Sequence, residues 1–177
     1  MKKELDEALC AKYPLVFRDR HANMQVTAMC WGISVGDGWY NIIDVLCGHL
    51  YTGYWSAKSR YDFIKDKVGE KMYGNSGDII TQGEIDLRKE QMDKEAAGVP
   101  VATQVKEKFG GLRFYVNGAI DKHWNYIEFA ESMSYRTCEV CGTPGKRYTD
   151  GWHQTFCDIH AEMYGRVQYE AEAEEGD

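Results

Sequence analysis

Four residues near the C-terminal end carry the clearest chemistry in the chain: Cys138, Cys141, Cys157 and His160. Cys138-Glu139-Val140-Cys141-Gly142 and Cys157-Asp158-Ile159-His160 form a C-x2-C pair and a C-x2-H pair separated by fifteen residues. Two such knuckles folded towards each other offer three thiolates and one imidazole to a single ion, and zinc suits that set because it takes soft sulfur and imidazole nitrogen in a closed tetrahedron. Gly142, Pro144 and Gly145 allow the tight turn that a first knuckle needs. Four protein ligands leave no position for water or substrate, so the expected role of the metal is structural.

Cys10, Cys30 and Cys47 remain outside this quartet. They are far apart and sit in apolar settings, which predicts reduced core thiols and no disulfide framework. No run approaches the roughly 20 apolar residues of a membrane span, and Met-Lys-Lys is followed by acids, not by an apolar secretory core. These features predict a cytoplasmic protein without a membrane partner. The net charge of −7 is concentrated at the end of the chain: residues 151–177 carry −6, whereas 103–150 carry +1. Such a balance argues against general coating of nucleic acid and leaves room for a local basic patch.

Further candidates for ligand binding occur in three places. Arg18 and Arg20 lie in a charged run after Leu15-Val16-Phe17, either a solvated loop or a pair of anion donors. Gly36-Asp37-Gly38-Trp39 follows the β-rich stretch Met24–Val35; its glycines can turn backbone amides towards a ligand, with Asp37 and Trp39 beside it, or Asp37 can simply cap the next helix. The third is a β-hairpin over about 101–117, in which Val101, Thr103, Val105 and Phe109 alternate with polar residues, Gly110-Gly111 turns, and Leu112, Phe114 and Val116 resume. Period two gathers Gln104, Lys106, Lys108, Arg113 and Tyr115 on its other face, as a solvated surface or as an anion site with a stacking ring. Asp19, His21, Asp37, Asp44 and His49 are residue types that could serve a metal-assisted hydrolase, but their spacing matches no catalytic constellation.

The elements expected to position these residues are helical and β in mixture. A short amphipathic helix ends near Tyr13-Pro14. A longer one begins near Trp39 with Ile42, Ile43, Leu46 and Leu50 on its buried side. A loop spans Gly69–Gly77, and a polar helix spans about 79–97 with a thin apolar stripe. Asp121 is expected to cap a helix burying Trp124, Ile127, Ala130 and Met133, and a short hairpin between the knuckles is expected to set Trp152 and Phe156 beside the metal. This is an α+β fold: a mixed helical and antiparallel body over 1–134, a zinc ribbon over 135–166 packed on it, and an acidic disordered tail over 167–177.

The blocks Gly36-Asp37-Gly38-Trp39-Tyr40-Asn41-Ile42-Ile43-Asp44 and Val105-Lys106-Glu107-Lys108-Phe109-Gly110-Gly111-Leu112-Arg113-Phe114-Tyr115, with the C-terminal Cys/His ribbon, resemble a family of small uncharacterised proteins of bacteriophages and bacterial mobile elements over about residues 10–165. The resemblance implies a host-cytoplasmic setting and a non-enzymatic binding protein that counteracts host defence, by capturing a small anionic, nucleotide-like ligand or by docking on a host protein. The residues also allow a zinc-ribbon nucleic-acid binder, using Arg136, Lys146 and Arg147 as backbone contacts and Tyr148 and Trp152 as stacking rings.

Overall fold

The computed structural model describes residues 1–72 and 78–166. The acidic tail expected over 167–177 and the Gly74–Gly77 centre of the expected loop lie outside them. The fold is α+β, with two small antiparallel sheets. Helix α1 spans Lys3–Lys12 and stops at Tyr13, ahead of Pro14. Helix α2, Tyr40–Ile64, is the central element. Its Ile43, Leu46, Cys47, Leu50 and Tyr51 recur at i, i+3, i+4, i+7 and i+8 and are all buried, the stripe of a helix that faces a core along one side. Against it pack Leu9 and Tyr13 from the first segment, Val105, Leu112 and Phe114 from the hairpin, and Ile127 and Ala130.

Helix α3, Gln82–Ala97, begins with a capping box. The Thr81 hydroxyl accepts from the Glu84 amide at 3.2 Å and the Glu84 carboxylate accepts from the Thr81 amide at 3.4 Å, satisfying amides that a helix start leaves open. Its apolar stripe is as thin as expected: Ile85 is buried, and Leu87 is exposed. Ile85 joins Ile64 and Ile80 in a small separate cluster.

Strands β1, Val101–Lys108, and β2, Gly111–Asn117, form the expected hairpin, with Val105 opposite Phe114 and Lys106 opposite Arg113. The turn is one residue earlier than its sequence suggests. Phe109 and Gly110 take φ of 55° and 77°, the double positive φ of a primed two-residue turn, so Phe109 leaves the core face and is exposed. Met24–Val35 is not a strand. It holds a 3-10 turn at Ala28–Trp31 and meets β1 through an isolated parallel bridge, Ser34 to Lys106, and through the Thr27 hydroxyl, which donates to the Thr103 carbonyl at 3.1 Å. Thr27 explains the difference, because its hydroxyl accepts from the Met29 amide at 3.1 Å and so competes with extended pairing.

Helix α4, Asp121–Ser134, presents a different face from the expected one. Its buried residues are His123, Ile127, Ala130 and Ser134, whereas Trp124 and Met133 are exposed. A constant step of three drifts around a 3.6-residue helix, and the 4-3-4 spacing stays on one side. Nor does Asp121 cap the helix. Ile120 holds that position, and its amide donates to His123 Nδ1 at 3.3 Å. Asp37 does not cap α2 either; it accepts from the Lys2 amide at 2.7 Å and pairs with Lys2 Nζ at 3.0 Å. Strands β3, Lys146–Tyr148, and β4, Gln154–Phe156, pair between the knuckles as expected, and helix α5, Asp158–Met163, follows.

Candidate metal centre

The two Cys/His pairs converge as their spacing predicts. Cys138 to Cys141 lies in the turn entering the β3–β4 hairpin, and Cys157 to His160 lies where β4 passes into α5. One ligand atom from each of Cys138, Cys141, Cys157 and His160 falls within 4.8 Å of all the others. Cys141 Sγ is 3.8 Å from Cys157 Sγ, and His160 Nδ1 is 3.5 Å from Cys138 Sγ and 3.1 Å from Cys157 Sγ. A tetrahedron with metal–sulfur bonds of about 2.3 Å and a metal–nitrogen bond of about 2.0 Å has S···S edges of about 3.8 Å and S···N edges of about 3.5 Å. The quartet is therefore compatible with a metal ion, and it is the one such group among the described residues.

Its surroundings favour thiolate at Cys141 and Cys157. Burial pushes the Cys138 thiol up, against hydrogen bonds from the Cys157, Cys141 and Val140 amides. The Thr143 hydroxyl and amide hold Cys141 below the usual thiol range. The His160 amide, with its ring, brings Cys157 down to about 6, and contact with Cys157 raises His160. Amides aimed at sulfur and a pre-gathered thiolate–imidazole pair are the donor set that a soft divalent ion meets. Behind it lie Tyr148, Phe156 and Ala161, packed on Cys138. Trp152, expected beside the metal, is 72% exposed. His153 is not part of the set; its Nδ1 meets the Arg147 guanidinium at 2.9 Å.

The first knuckle sits against the Gly36–Trp39 turn. The Gly36 amide donates to Glu139 Oε1 and the Gly38 amide to the Glu139 carbonyl, both at 2.8 Å. A Cβ on Gly38 would stand 2.2 Å from the Cys138 carbonyl oxygen and 2.4 Å from the Gly142 amide nitrogen. The glycines thus serve close backbone approach, and the amides that sequence suggested for a ligand are occupied by Glu139. Trp39 is fully buried, with its indole N–H on the Thr137 carbonyl at 2.8 Å. The other side of the ribbon meets the hairpin turn. The Gly110 carbonyl accepts from the Thr155 hydroxyl at 2.5 Å, and a Cβ on Gly111 would stand 2.4 Å from the Tyr135 ring.

The remaining sequence candidates are dispersed. Arg18 donates to the Val99 carbonyl at 2.6 Å, and Arg20 pairs with Asp6 at 3.0 Å while donating to the Met29 and Cys30 carbonyls. On the hairpin face Lys106 lies over the Tyr115 ring and Lys108 over Phe109. Arg113, on the same face, donates to the Tyr135 hydroxyl at 2.6 Å and approaches Glu131 at 3.6 Å. Of the residues considered for hydrolysis, Asp44 is held by Lys12 at 2.7 Å, His49 stacks on Tyr126, Asp37 pairs with Lys2, and His21 is exposed in the loop after Arg20; they form no cluster. Cys47 is wholly buried, which holds its thiol well above the usual range. Sequence reasoning missed His123, whose signal was available only in its i+4 relation to Ile127. Helices α2, α3 and α4 include none long and apolar enough to cross a membrane. Comparison of the chain with protein-family models, with curated proteins and with solved structures returns no match.

Proposed function

We propose that this chain is a zinc-stabilised, non-enzymatic binding protein in which the metal holds the C-terminal ribbon in shape against the body. The observation that carries the reading is the complete ligand set. Cys138, Cys141, Cys157 and His160 bring four ligand atoms within 4.8 Å of one another, enough to complete a tetrahedron, and a zinc ion without an open position supplies fold and not reaction. Zinc is preferred among metals because three thiolates and one imidazole in tetrahedral array match its ligand softness and geometry.

The resemblance of the Gly36–Asp44, Val105–Tyr115 and Cys/His blocks to phage and mobile-element proteins supports a setting in the host cytoplasm. There the protein would counteract host defence by capturing a small anionic, nucleotide-like ligand or by docking on a host protein. Metal analysis of the purified protein, with native mass spectrometry against a denatured sample, tests this. The expected result is one zinc per chain and a retained small-molecule mass in the native sample. A protein that lacks zinc, or a Cys138→Ser variant that keeps both zinc and its thermal midpoint, would refute the metal's role.

A further inference from the structure

Two adjoining clefts open where α2, the C-terminal end of α3 and the start of α4 meet. The first, of about 530 Å3, is lined by Lys94, Glu95, Lys122 and His123 among others. The second, of about 460 Å3, runs along α2 and α4 and is lined mainly by apolar side chains, including Val45, Phe129 and Met133. His49 and Tyr126 belong to both, and their rings stack at 4.7 Å with 17° between planes. That stacked pair is the shared wall between a polar cleft and an apolar one. Both volumes lie in the range of small-molecule sites.

His123 gives the polar cleft a neutral hydrogen-bond donor. It is 4% exposed. Its Nδ1 accepts the Ile120 amide, so in the neutral ring Nε2 bears the proton. Burial, aided by the charge of Lys122, holds its pKa below the usual histidine range and keeps the ring neutral. Among the described residues Nε2 has no protein partner. Nε2 is not among the fully buried side-chain atoms without a partner, so its N–H faces the open cleft, where water or a ligand can accept from it. Lys94 and Lys122 likewise lack an ion-pair partner among the described residues. Against Glu95, the one carboxylate on this lining, they leave the cleft with a net positive charge.

We infer that these clefts form one binding site for a small amphipathic anion, an acyl or aryl carboxylate. Its head group accepts from His123 Nε2–H beside Lys94 and Lys122, and its apolar body crosses the His49–Tyr126 pair into the groove of Val45, Phe129 and Met133. Charge complementarity selects the head. The apolar groove selects the body, since only Asn41, His49 and the Tyr126 hydroxyl on its lining could satisfy the edge of a nucleobase, and unpaired base edges in such a groove would cost affinity. The inference rests on the anion-binding part of the proposed function, takes a carboxylate in place of its nucleotide-like ligand, and sets the site away from the metal ribbon.

The test titrates the full chain with decanoate and with decanol, by calorimetry and by the His123 imidazole resonances. Decanoate is expected to shift those resonances and to bind about tenfold or more tighter than decanol, the worth of one charge-assisted hydrogen bond. Lys122→Gln should erase most of that preference, Glu95→Gln should increase it, and Phe129→Ala should weaken both ligands. Equal binding of decanoate and decanol, unmoved His123 resonances, an unchanged preference in Lys122→Gln, or a response of His123 to AMP but not to decanoate would each overturn the proposal. Zinc content measured on the same samples separates the two readings. Normal zinc without decanoate binding rejects the cleft alone, and missing zinc with decanoate binding rejects the metal's role alone.

Discussion

Trp39 donates its indole N–H to the backbone carbonyl of Thr137 at 2.8 Å, one residue before the first metal-site cysteine. The ring is wholly buried, and the Gly38 and Gly36 amides, one and three positions before it, hold Glu139. A short turn at the start of α2 and the first knuckle are thus joined by three hydrogen bonds between segments that are distant in sequence. Closing so long a loop costs chain entropy that these contacts and the buried ring must offset.

Replacing that indole isolates one of the three bonds. Trp39→Phe keeps an aromatic body but leaves the Thr137 carbonyl without its donor, a loss of about 1–3 kcal/mol. Urea unfolding should show the lower stability, and metal release to a chelator should become faster because the knuckle is less firmly seated. Loss of stability with unaltered release would mean that the turn and the knuckle are not coupled.

Gly38 offers a sharper probe because the obstacle is backbone. The Cys138 carbonyl oxygen, 2.2 Å from where an alanine Cβ would stand, cannot swing aside as a flexible side chain would, so Gly38→Ala should cost about 1–3 kcal/mol, or roughly 2–12 °C in Tm. Gly83→Ala is the opposite case. Gly83 lies in the first turn of α3 with only the Thr81 hydroxyl at 3.9 Å, and alanine there should be neutral or stabilising by up to about 1 kcal/mol. Equal midpoints for the two variants in a thermal scan would contradict the close approach at Gly38.

Much of this site was legible in sequence, but the reason for its neighbours was not. Spacing alone places Cys138, Cys141, Cys157 and His160 together, because metal ligands must lie in adjacent knuckles whatever the rest of the fold does. The β1–β2 pairing was equally local and readable, except that Phe109 accepts a positive φ that Gly111 would have taken at no cost. The Gly36–Trp39 turn could not be read correctly, since its partner Glu139 is 103 positions away and nothing local distinguishes an amide facing a ligand from one facing a knuckle. On α4, the three-residue spacing with Ile127, Ala130 and Met133 made Trp124 look like core, yet His123 takes the buried position. The 4-3-4 spacing of His123, Ile127, Ala130 and Ser134 stays on one side of the helix, where a constant step of three does not.

The Asp6–Arg20 pair gives the protein an acid-sensitive contact. Burial alone would raise the Asp6 carboxyl, but the Arg20 guanidinium, the Ile33 amide and Cys10 together hold it below the usual carboxylate value. A depressed folded-state pKa contributes stability that is present above the unfolded value near 4 and is lost as pH falls through the folded one. Unfolding free energy should therefore drop below about pH 4, and Asp6→Asn should remove part of that slope. The variant should also cost about 3 kcal/mol at neutral pH by leaving Arg20 poorly compensated. A pH profile unchanged by Asp6→Asn would assign the acid sensitivity elsewhere.

The last prediction concerns the fourth metal ligand. His160 reaches the quartet through Nδ1, from the first turn of α5, and its own amide supports Cys157. His160→Ala deletes a ligand and opens a coordination position, so metal affinity should fall and the ribbon should loosen with it, because site binding energy is folding energy in such a module. His160→Cys restores a fourth soft ligand on the same turn, and four thiolates hold zinc in the same tetrahedral geometry. The expected order of zinc retention under chelation is wild type and His160→Cys together, with His160→Ala well below. Far-ultraviolet dichroism and thiol accessibility should follow the same order. If His160→Ala retains metal as firmly as His160→Cys, the imidazole is a neighbour of the site and three cysteines carry it.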